Sequence, residues 1–169
     1  GAKVTLVSGP VSIKAPKGID IIDVKTAEEM KTAVLDSFSD TDIVIMAAAV
    51  ADYTPKETIK NKMKKLGDLS LELKRTTDIL ETLGKNKGNK ILVGFAAETD
   101  DGEKNAKDKL QRKNLDMIAL NDLTDKYSGF GKDTNHIYLY KKNGDKVDLG
   151  VESKQKSACL ILDEIINIL

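Results

Sequence analysis

The sequence predicts an α/β protein with a Rossmann-like, doubly wound and mostly parallel sheet, a flap and hairpin excursion, and a C-terminal hairpin plus helix. Short β-branched segments alternate along the chain with segments of helical periodicity. Two runs, residues 42–49 and 91–97, are almost continuously apolar, which is typical of parallel strands covered by helices on both faces. Alternating strands and helices with short connections favour right-handed crossovers and a doubly wound sheet.

The first half of the chain predicts two strands, a helix, the strand at residues 42–49 and then a loop. Residues 4–9 and 19–24 are short apolar strands. Thr26 and Glu29 spell a capping box, in which each side chain bonds an orphan amide at a helix start. Residues 53–56 are typical of a loop.

The loop opens an excursion that we expect to end in a hairpin. Leu69, Leu71 and Leu73 alternate with polar residues after a Gly-Asp turn signal at residues 67–68. Such alternation predicts a strand with one apolar face.

The second half continues the alternation and ends in a hairpin marked by Asn143-Gly144, the strongest two-residue hairpin signal. The predicted elements are a helix starting near residues 78–81, strands at 91–97 and 117–121, a helix at 103–112, strands at 136–140 and 146–149, and an amphipathic helix at 153–169. With 169 residues we expect a single domain over residues 1–169.

Composition excludes several classes of protein. Lys plus Arg and Asp plus Glu both number 27, so we expect no nucleic-acid partner and no membrane partner. The longest apolar run, residues 43–51, is far shorter than the roughly 20 residues of a membrane helix. The lone Cys159 and the absence of a secretory leader pattern favour a cytoplasmic protein. The apolar neighbours of Cys159 predict that its thiol is buried and inert.

Small residues followed by an acid stand at the ends of two predicted strands. Ala48 to Asp52 and Gly94 to Glu98 have this pattern, and ligands of open α/β sheets bind beyond the carboxyl ends of the strands. Such ends admit a flat ring or a phosphate, and the acid can accept hydrogen bonds from a ribose or base. Phe95 is either a core aromatic or a stacking surface for a base. The pattern indicates a nucleotide site, with solvated strand-end carboxylates as the alternative.

The usual phosphate-loop and dinucleotide fingerprints are missing, and no triad, dithiol or metal-ligand cluster can be assembled. The only histidine, His136, is expected to have a cross-strand role. Chemistry would then rest on lysines that hold phosphates and carboxylates. A lysine cluster on the excursion and the pair Lys109 and Lys113, four apart on one helix, would clamp a polyphosphate. The excursion lysines are Lys56, Lys60, Lys62, Lys64 and Lys65.

In these motifs the chain resembles the phosphopantothenate-cysteine ligases (phosphopantothenoylcysteine synthetases), the C-terminal ligase domain of the bifunctional coenzyme A biosynthesis flavoproteins. The matching motifs occur in family order and span nearly the whole chain. They are VTLVSGPV at 4–11, AAVADY at 48–53, KMKK at 62–65, TDIL at 77–80, GFAAET at 94–99, RKNLD at 112–116 and ND at 121–122.

The resemblance implies a ligation in two steps. The carboxylate of 4′-phosphopantothenate attacks the α-phosphate of CTP to give an acyl-cytidylate, and the amine of cysteine then displaces CMP. Mg2+ is expected to accompany the triphosphate, whereas FMN would belong only to a fused decarboxylase domain. The resemblance also implies a homodimer, joined through the excursion and hairpin strands.

Carried over by position, the resemblance predicts the nucleotide site. The chain backbone at Met46, Ala47 and Ala48 would line the nucleotide, with Asp52 near the base and ribose and Phe95 beside the base. The loop before the DIL motif supplies Lys74, Arg75, Thr76 and Thr77, although relatives usually have proline where Thr77 stands. Lys109 and Lys113 would face the phosphates. Lys62, the first lysine of the flap, is the predicted catalytic charge.

The opening of the chain departs from the family pattern. The strand with a GxTxE-like motif and the ISNxSSG-like phosphate loop of the family are not found in this sequence. We therefore expect an N-terminally incomplete domain with little ligase activity by itself. The alternatives are a non-catalytic nucleotide-binding or dimerisation fragment and, less favoured without the glycine fingerprint, an NAD-type oxidoreductase domain. ATP is the alternative nucleotide to CTP.

Overall fold

The computed structural model describes residues 1–57, 70–124 and 132–169. These form two compact units: Gly1–Asp40 with Ala49–Ile79, and Thr41–Ala48 with Leu80–Leu169. In chain order the elements are β1 (Thr5–Ser8), β2 (Asp20–Asp23), α1 (Ala27–Phe38), β3 (Ile43–Met46), β4 (Tyr53–Pro55), β5 (Leu73–Arg75), α2 (Ile79–Lys85), β6 (Ile91–Glu98), α3 (Gly102–Arg112), β7 (Met117–Asp122), β8 (Thr134–Lys141), β9 (Lys146–Ser153) and α4 (Lys154–Ile166).

In the first unit, β1 and β2 pair in parallel and α1 follows them. The capping box predicted at the start of α1 is confirmed. The Glu29 amide donates to Thr26 Oγ1 at 3.1 Å, and the Thr26 amide donates to Glu29 Oε2 at 3.1 Å. Backbone N–H groups of Lys25 and Thr26 lower the pKa of Glu29, because they stabilise its charged form.

The excursion contains a second pair of strands, and here the sequence interpretation needs correction. Residues 53–55, which we expected to be a loop, form β4 and pair antiparallel with β5. A cross-strand ion pair between Lys56 Nζ and Glu72 Oε2 at 3.0 Å lies next to this pairing. The error has a physical cause: the partner strand lies far along the chain, so no local pattern reveals it. Leu71 and Leu73 are exposed, whereas Leu69 lies outside the described residues.

The second unit is built on a five-stranded sheet with the order β3-β6-β7-β8-β9. The first three strands are parallel and the last two are antiparallel, which confirms the predicted α/β fold class with a C-terminal hairpin. The almost continuously apolar run at residues 42–49 predicted a strand covered on both faces. Instead β3 is the edge strand of this sheet, and Ile45 is 40% exposed. The most buried strands are β6 and β7, whose first four residues are all buried.

The two faces of this sheet pack against different helices. Val93 on β6 belongs to a cluster that contains Ile161 and Ile165 of α4. Side chains alternate between faces along a strand, so Gly94 belongs to the opposite face, where a Cβ would meet Leu80 and Leu115. The helix α3 packs against β6, β7 and β8. The core therefore has a layer on each side of β6 and β7.

The C-terminal hairpin forms as predicted. Gly144 takes a φ of +96° in the turn, a conformation that glycine adopts without steric cost. His136 Nε2 lies 3.0 Å from Asp148 Oδ1 across β8 and β9, which confirms its cross-strand role. Ser153 caps α4 by accepting the Lys156 amide. The buried thiol predicted at residue 159 is wrong, because Cys159 is exposed.

Among the helices of the described residues, none combines the length and the hydropathy needed to cross a bilayer.

Candidate functional site

The carboxyl ends of three parallel strands of the second unit lie side by side. Met46, the last residue of β3, pairs with Gly94 of β6. Farther along β6, Glu98 pairs with Asp122 at the end of β7. Ala47 and Ala48 follow β3 and are exposed. The sequence analysis predicted a site at strand ends that carry small residues followed by an acid. These strand ends are neighbours at the carboxyl end of this sheet.

An ion pair joins the end of β6 to α3. Lys109 Nζ lies 2.6 Å from Glu98 Oε1, and the two side chains are 36% and 19% exposed. Asn105, one turn earlier on α3, donates its Nδ2 to Glu98 Oε2 at 3.3 Å. Sequence reasoning found both Lys109 and Glu98 but not their contact. The spacing of Asn105 and Lys109, four residues apart on one helical face, is the signal that could have found it.

Close backbone approaches position both ends of α3. At its start, a Cβ on Gly102 would lie 3.1 Å from Leu120 Cδ2 and 3.4 Å from Glu98 Cβ. After its end, a Cβ on Gly84 would overlap the carbonyl oxygen of Lys113. Lys113 is the C-cap residue rather than a helical one, and its amide donates to the Lys109 carbonyl at 3.0 Å. Glycines thus set how closely α3 packs.

Phe95 and Lys109 are not brought together on one face of the sheet. Phe95 is half-buried and packs against the cluster that includes Val93 and the α4 isoleucines. Glu98, three residues later on the same strand, belongs to the other face by alternation, and it is there that it contacts Lys109. The core contact of Phe95 is observed, and its stacking on a base stays a prediction.

The first unit gathers the other predicted site residues. The Thr76 amide donates to the Asp52 carbonyl at 2.9 Å, and Thr76 Oγ1 donates to the Ala51 carbonyl at 2.5 Å. Lys74 and Arg75 pair with Thr54 and Tyr53 across β4 and β5. These bonds place the backbone of residue 52 beside the predicted loop at residues 74–77.

Arg75 is held against the Tyr53 ring. Its guanidinium carbon lies 6.0 Å from the ring centroid, within cation–π range. The hydrogen bond to Tyr53 raises the pKa of Arg75, and the charge of Asp52 contributes in the same direction. Thr77 is exposed next to this pair. Lys62, the predicted catalytic lysine, lies outside the described residues.

A polar network that the sequence did not reveal ties α3 to the hairpin. Lys146 Nζ and the Tyr140 hydroxyl both donate to Glu103 Oε2, at 2.7 and 3.2 Å. Lys107 donates to Glu103 Oε1 at 2.6 Å. These hydrogen bonds, led by that of Lys107, lower the pKa of Glu103 to about 2. Burial is the largest cause that raises the pKa of Tyr140.

A cavity of about 310 Å3 opens between this network and the strand ends. Four carboxylate residues line it, together with the neutral and basic side chains of the network. The acids are Glu98, Asp101, Glu103 and Asp122. Two of these acids are already paired with lysines, Glu98 with Lys109 and Glu103 with Lys146. Within the described ranges, no three His, Cys, Asp or Glu side chains are grouped so as to hold a metal ion.

Comparison with known proteins gives a family match over the whole chain. The model of the DFP family, described as the DNA/pantothenate metabolism flavoprotein C-terminal domain, matches residues 1–169. The coenzyme A biosynthesis bifunctional protein CoaBC of Bacillus subtilis (strain 168) is 51% identical over 98% of this chain and 41% of its own length. The corresponding protein of Escherichia coli (strain K12) is 42% identical over 98% of this chain and 42% of its own.

A relative with a different name is also similar. A protein of an unknown prokaryotic organism named cysteine/cysteine sulfinic acid decarboxylase is 46% identical over 99% of this chain and 48% of its own length. The chain spans less than half the length of these curated relatives.

Solved structures agree with the fold. The C-terminal domain of a CoaBC protein has a TM-score of 0.82 and 38% identity over 98% of this chain and 74% of the other. A DNA/pantothenate metabolism flavoprotein from Streptococcus pneumoniae has a TM-score of 0.79 at 21% identity, over 100% of this chain and 82% of the other, and supports the fold alone. On the full-length family match and these identities, the chain belongs to the DFP family, the DNA/pantothenate metabolism flavoprotein C-terminal domains.

Proposed function

We propose that this chain carries the phosphopantothenate-cysteine ligase function of coenzyme A biosynthesis. The observation that carries the proposal is the family match over residues 1–169, together with 51% identity to a protein named for coenzyme A biosynthesis. The adjacent strand ends and their lysine-bearing helix α3 support it, because open α/β sheets bind nucleotides at such an edge.

The proposed reaction has two steps. A carboxylate oxygen of 4′-phosphopantothenate attacks the α-phosphorus of CTP, so that a new P–O bond forms and the bond to the leaving pyrophosphate breaks. The cysteine amine then attacks the acyl carbon, the C–O bond to CMP breaks, and the amine loses a proton as the amide forms. Neither step needs a covalent intermediate on the protein. Catalysis would come from bringing the reactants together and stabilising negative charge.

The chain's own residues would divide these tasks. Met46, Ala47 and Ala48 would offer an edge free of bulky branched side chains to the nucleotide, and Asp52 would accept hydrogen bonds from base or ribose. Lys109 and Lys113 would neutralise phosphate charge, with Lys62 as the charge that stabilises acyl transfer. The remaining proposed contacts are Lys74, Arg75, Thr76 and Thr77 from the loop, and Phe95 beside the base.

The proposed reaction involves Mg2+, and a fused decarboxylase domain would hold FMN. The described residues contain no cluster of three or more typical metal ligands, so they do not form a protein-only Mg2+ site. The triphosphate oxygens are the ligands that this ion would prefer. FMN would belong to a decarboxylase domain in cis.

We also propose a homodimer joined through the excursion. Leu71 and Leu73 are 63% and 54% exposed, so within the described chain they do not pack inward. Two exposed leucines, of which Leu73 is the first residue of β5, favour a partner surface. A second copy of this chain is the partner that we propose.

Titration calorimetry with CTP, ATP and NAD, each with MgCl2, tests the function. We expect CTP to bind and Asp52→Ala, Lys62→Ala and Lys109→Ala each to weaken binding at least about tenfold, since a charge-assisted contact contributes roughly 1.5–3 kcal/mol. Tighter binding of ATP than of CTP would make ATP the nucleotide substrate and would leave the proposed ligase function in place. NAD binding would favour the oxidoreductase alternative, and an absence of CTP and ATP binding would overturn the proposal. Weak ligation in the presence of both substrates would support the ligase, whereas CTP binding with no ligation at all would favour a non-catalytic fragment.

A further inference from the structure

The carboxylate of Glu98 is held by α3 through both of its oxygens. Oε1 lies 2.6 Å from Lys109 Nζ, and Oε2 accepts Asn105 Nδ2 at 3.3 Å. Asn105 and Lys109 are four residues apart, so they present adjacent positions on one helical face. The carboxylate is therefore clamped between two side chains of the same helix.

The backbone of Glu98 is fixed as well. It is the last residue of β6, it pairs with Asp122 of β7, and its carbonyl accepts the Leu123 amide at 3.1 Å. The missing side chain of Gly102 lets α3 start directly against Glu98 Cβ. Glu98 thus presents its charge from a rigid strand end rather than from a loop.

A lysine that is already paired with a fixed carboxylate can bind an anion at a lower entropy cost. Its ammonium sits on a flexible four-carbon stem, and ordering that stem when a ligand binds costs rotamer entropy. A contact that already orders the ammonium removes this cost from the binding step. A lysine ammonium carries three N–H donors, and the contact with Glu98 uses one of them. The others can reach an anion.

The same carboxylate would also repel a phosphate, which opposes the benefit of ordering the lysine. A phosphate bound to Lys109 would stand on the far side of the ammonium, at about twice the distance that separates either anion from it, and Coulomb energy falls with distance. With Lys109 36% exposed, solvent screens the longer-range repulsion further. We therefore expect the ordering of the lysine to outweigh the repulsion.

We infer that Glu98 is a positioning residue, which holds the ammonium of Lys109 in place for the phosphate chain of the nucleotide. This inference rests on the proposed function, because it takes Lys109 as a phosphate contact. Glu98, the acid of the GFAAET motif at residues 94–99, would then contact Lys109 and not the nucleotide.

A double-mutant cycle on CTP binding tests this role. The variants are Glu98→Ala, Lys109→Ala and the double substitution, measured by titration calorimetry with MgCl2. We expect Glu98→Ala to weaken CTP binding about tenfold and the double variant to bind no more weakly than Lys109→Ala alone, since coupled neighbours are non-additive. Glu98→Gln, which keeps an acceptor for the ammonium, should lie between Glu98→Ala and the unsubstituted chain.

The matched control is Glu81→Ala. Glu81 is a half-buried carboxylate of the same unit that pairs with Lys85 at 2.9 Å and with Arg112 of α3 at 3.5 Å, but not with Lys109. Its removal should leave CTP affinity within about twofold. If Glu98→Ala does not fold, Glu98→Gln takes its place in the cycle.

The possible outcomes distinguish failure of the positioning role from failure of the proposed ligase function. Additive losses, with Glu98→Ala still costing tenfold in the Lys109→Ala background, would overturn the positioning role and leave the ligase proposal intact. Tighter CTP binding by Glu98→Ala would also overturn it, because the carboxylate would then act as a competitor. Failure of the unsubstituted chain to bind CTP or ATP would overturn the proposed function and this inference with it.

Discussion

Lys87 Nζ lies 2.5 Å from Asp116 Oδ1, and the lysine side chain is only 7% exposed. Asp116 Oδ2 accepts the Leu92 amide at 2.8 Å, and Lys87 Nζ also reaches the Asn114 carbonyl at 3.2 Å. The pair joins the turn after α2 to the start of β7, at the end of the sheet opposite the candidate site. The acid of the RKNLD motif therefore has a structural role.

Replacing Asp116 should lower the free energy of unfolding. Asp116→Ala leaves the Lys87 ammonium buried without its counter-ion and the Leu92 amide without its acceptor. We expect a loss of about 3 kcal/mol in the free energy of unfolding, measured by urea denaturation. Glu28→Ala, which breaks the more exposed ion pair with Lys31, is the control and should cost less than about 1 kcal/mol. Equal losses in the two variants would contradict the structural role.

Gly84→Ala should be destabilising for a steric reason. The added Cβ would overlap the Lys113 carbonyl oxygen, a backbone atom that cannot swing away, so α2 and the end of α3 must separate. We expect a loss of roughly 1–3 kcal/mol in the same denaturation measurement. Gly9→Ala, where a Cβ would meet nothing within 4 Å, should be close to neutral. A stable Gly84→Ala variant would show that α3 is not packed as described.

The Glu103 network should make stability depend on pH in acid. Its folded pKa of about 2 lies below the ordinary 4.5, so its stabilising contribution is fully present above pH 4.5 and is lost as the pH falls through 2. The difference in melting temperature between the unsubstituted chain and Glu103→Gln should therefore be constant from pH 5 to 7. It should shrink towards zero between about pH 4.5 and 2. A difference that stays constant down to pH 2 would contradict the assignment.

Phe95 can be tested separately as a core residue and as a base contact. Phe95→Leu keeps an apolar side chain against the cluster with Val93 and removes the aromatic face. We expect unfolding free energy to fall by less than about 1.5 kcal/mol, whereas CTP affinity should fall at least about fivefold if the ring stacks on the base. Unchanged CTP affinity would leave Phe95 as a core aromatic only.

The proposed dimer should depend on the exposed excursion leucines. We expect sedimentation velocity at micromolar concentration to show a dimer, and the double variant Leu71→Asp, Leu73→Asp to shift it to monomer, because charged groups are costly in an apolar interface. Leu162→Asp substitutes an exposed leucine of α4 and should leave the dimer intact. A monomeric unsubstituted chain would contradict the dimer.

Local patterns predicted most elements of the fold correctly. The capping box of Thr26 and Glu29 and the Asn143-Gly144 turn depend on residues within a few positions of each other, so their signals survive in a single sequence. Local sequence patterns gave a wrong prediction where the structure depends on a pairing strand that lies far away in the chain. The strand at residues 53–55 exists because residues 73–75 pair with it, and the edge position of β3 depends on the order of the whole sheet.

The sequence by itself determined the α/β class, the positions of the strand ends and the residue types that stand there, because periodicity and turn chemistry are local. Only the tertiary structure decided which of these residues meet. It paired Glu98 with Lys109, put Phe95 on the other face of β6, and buried Lys87 against Asp116. Those contacts depend on how closely α2 and α3 approach the sheet, which packing of residues far apart in the chain controls.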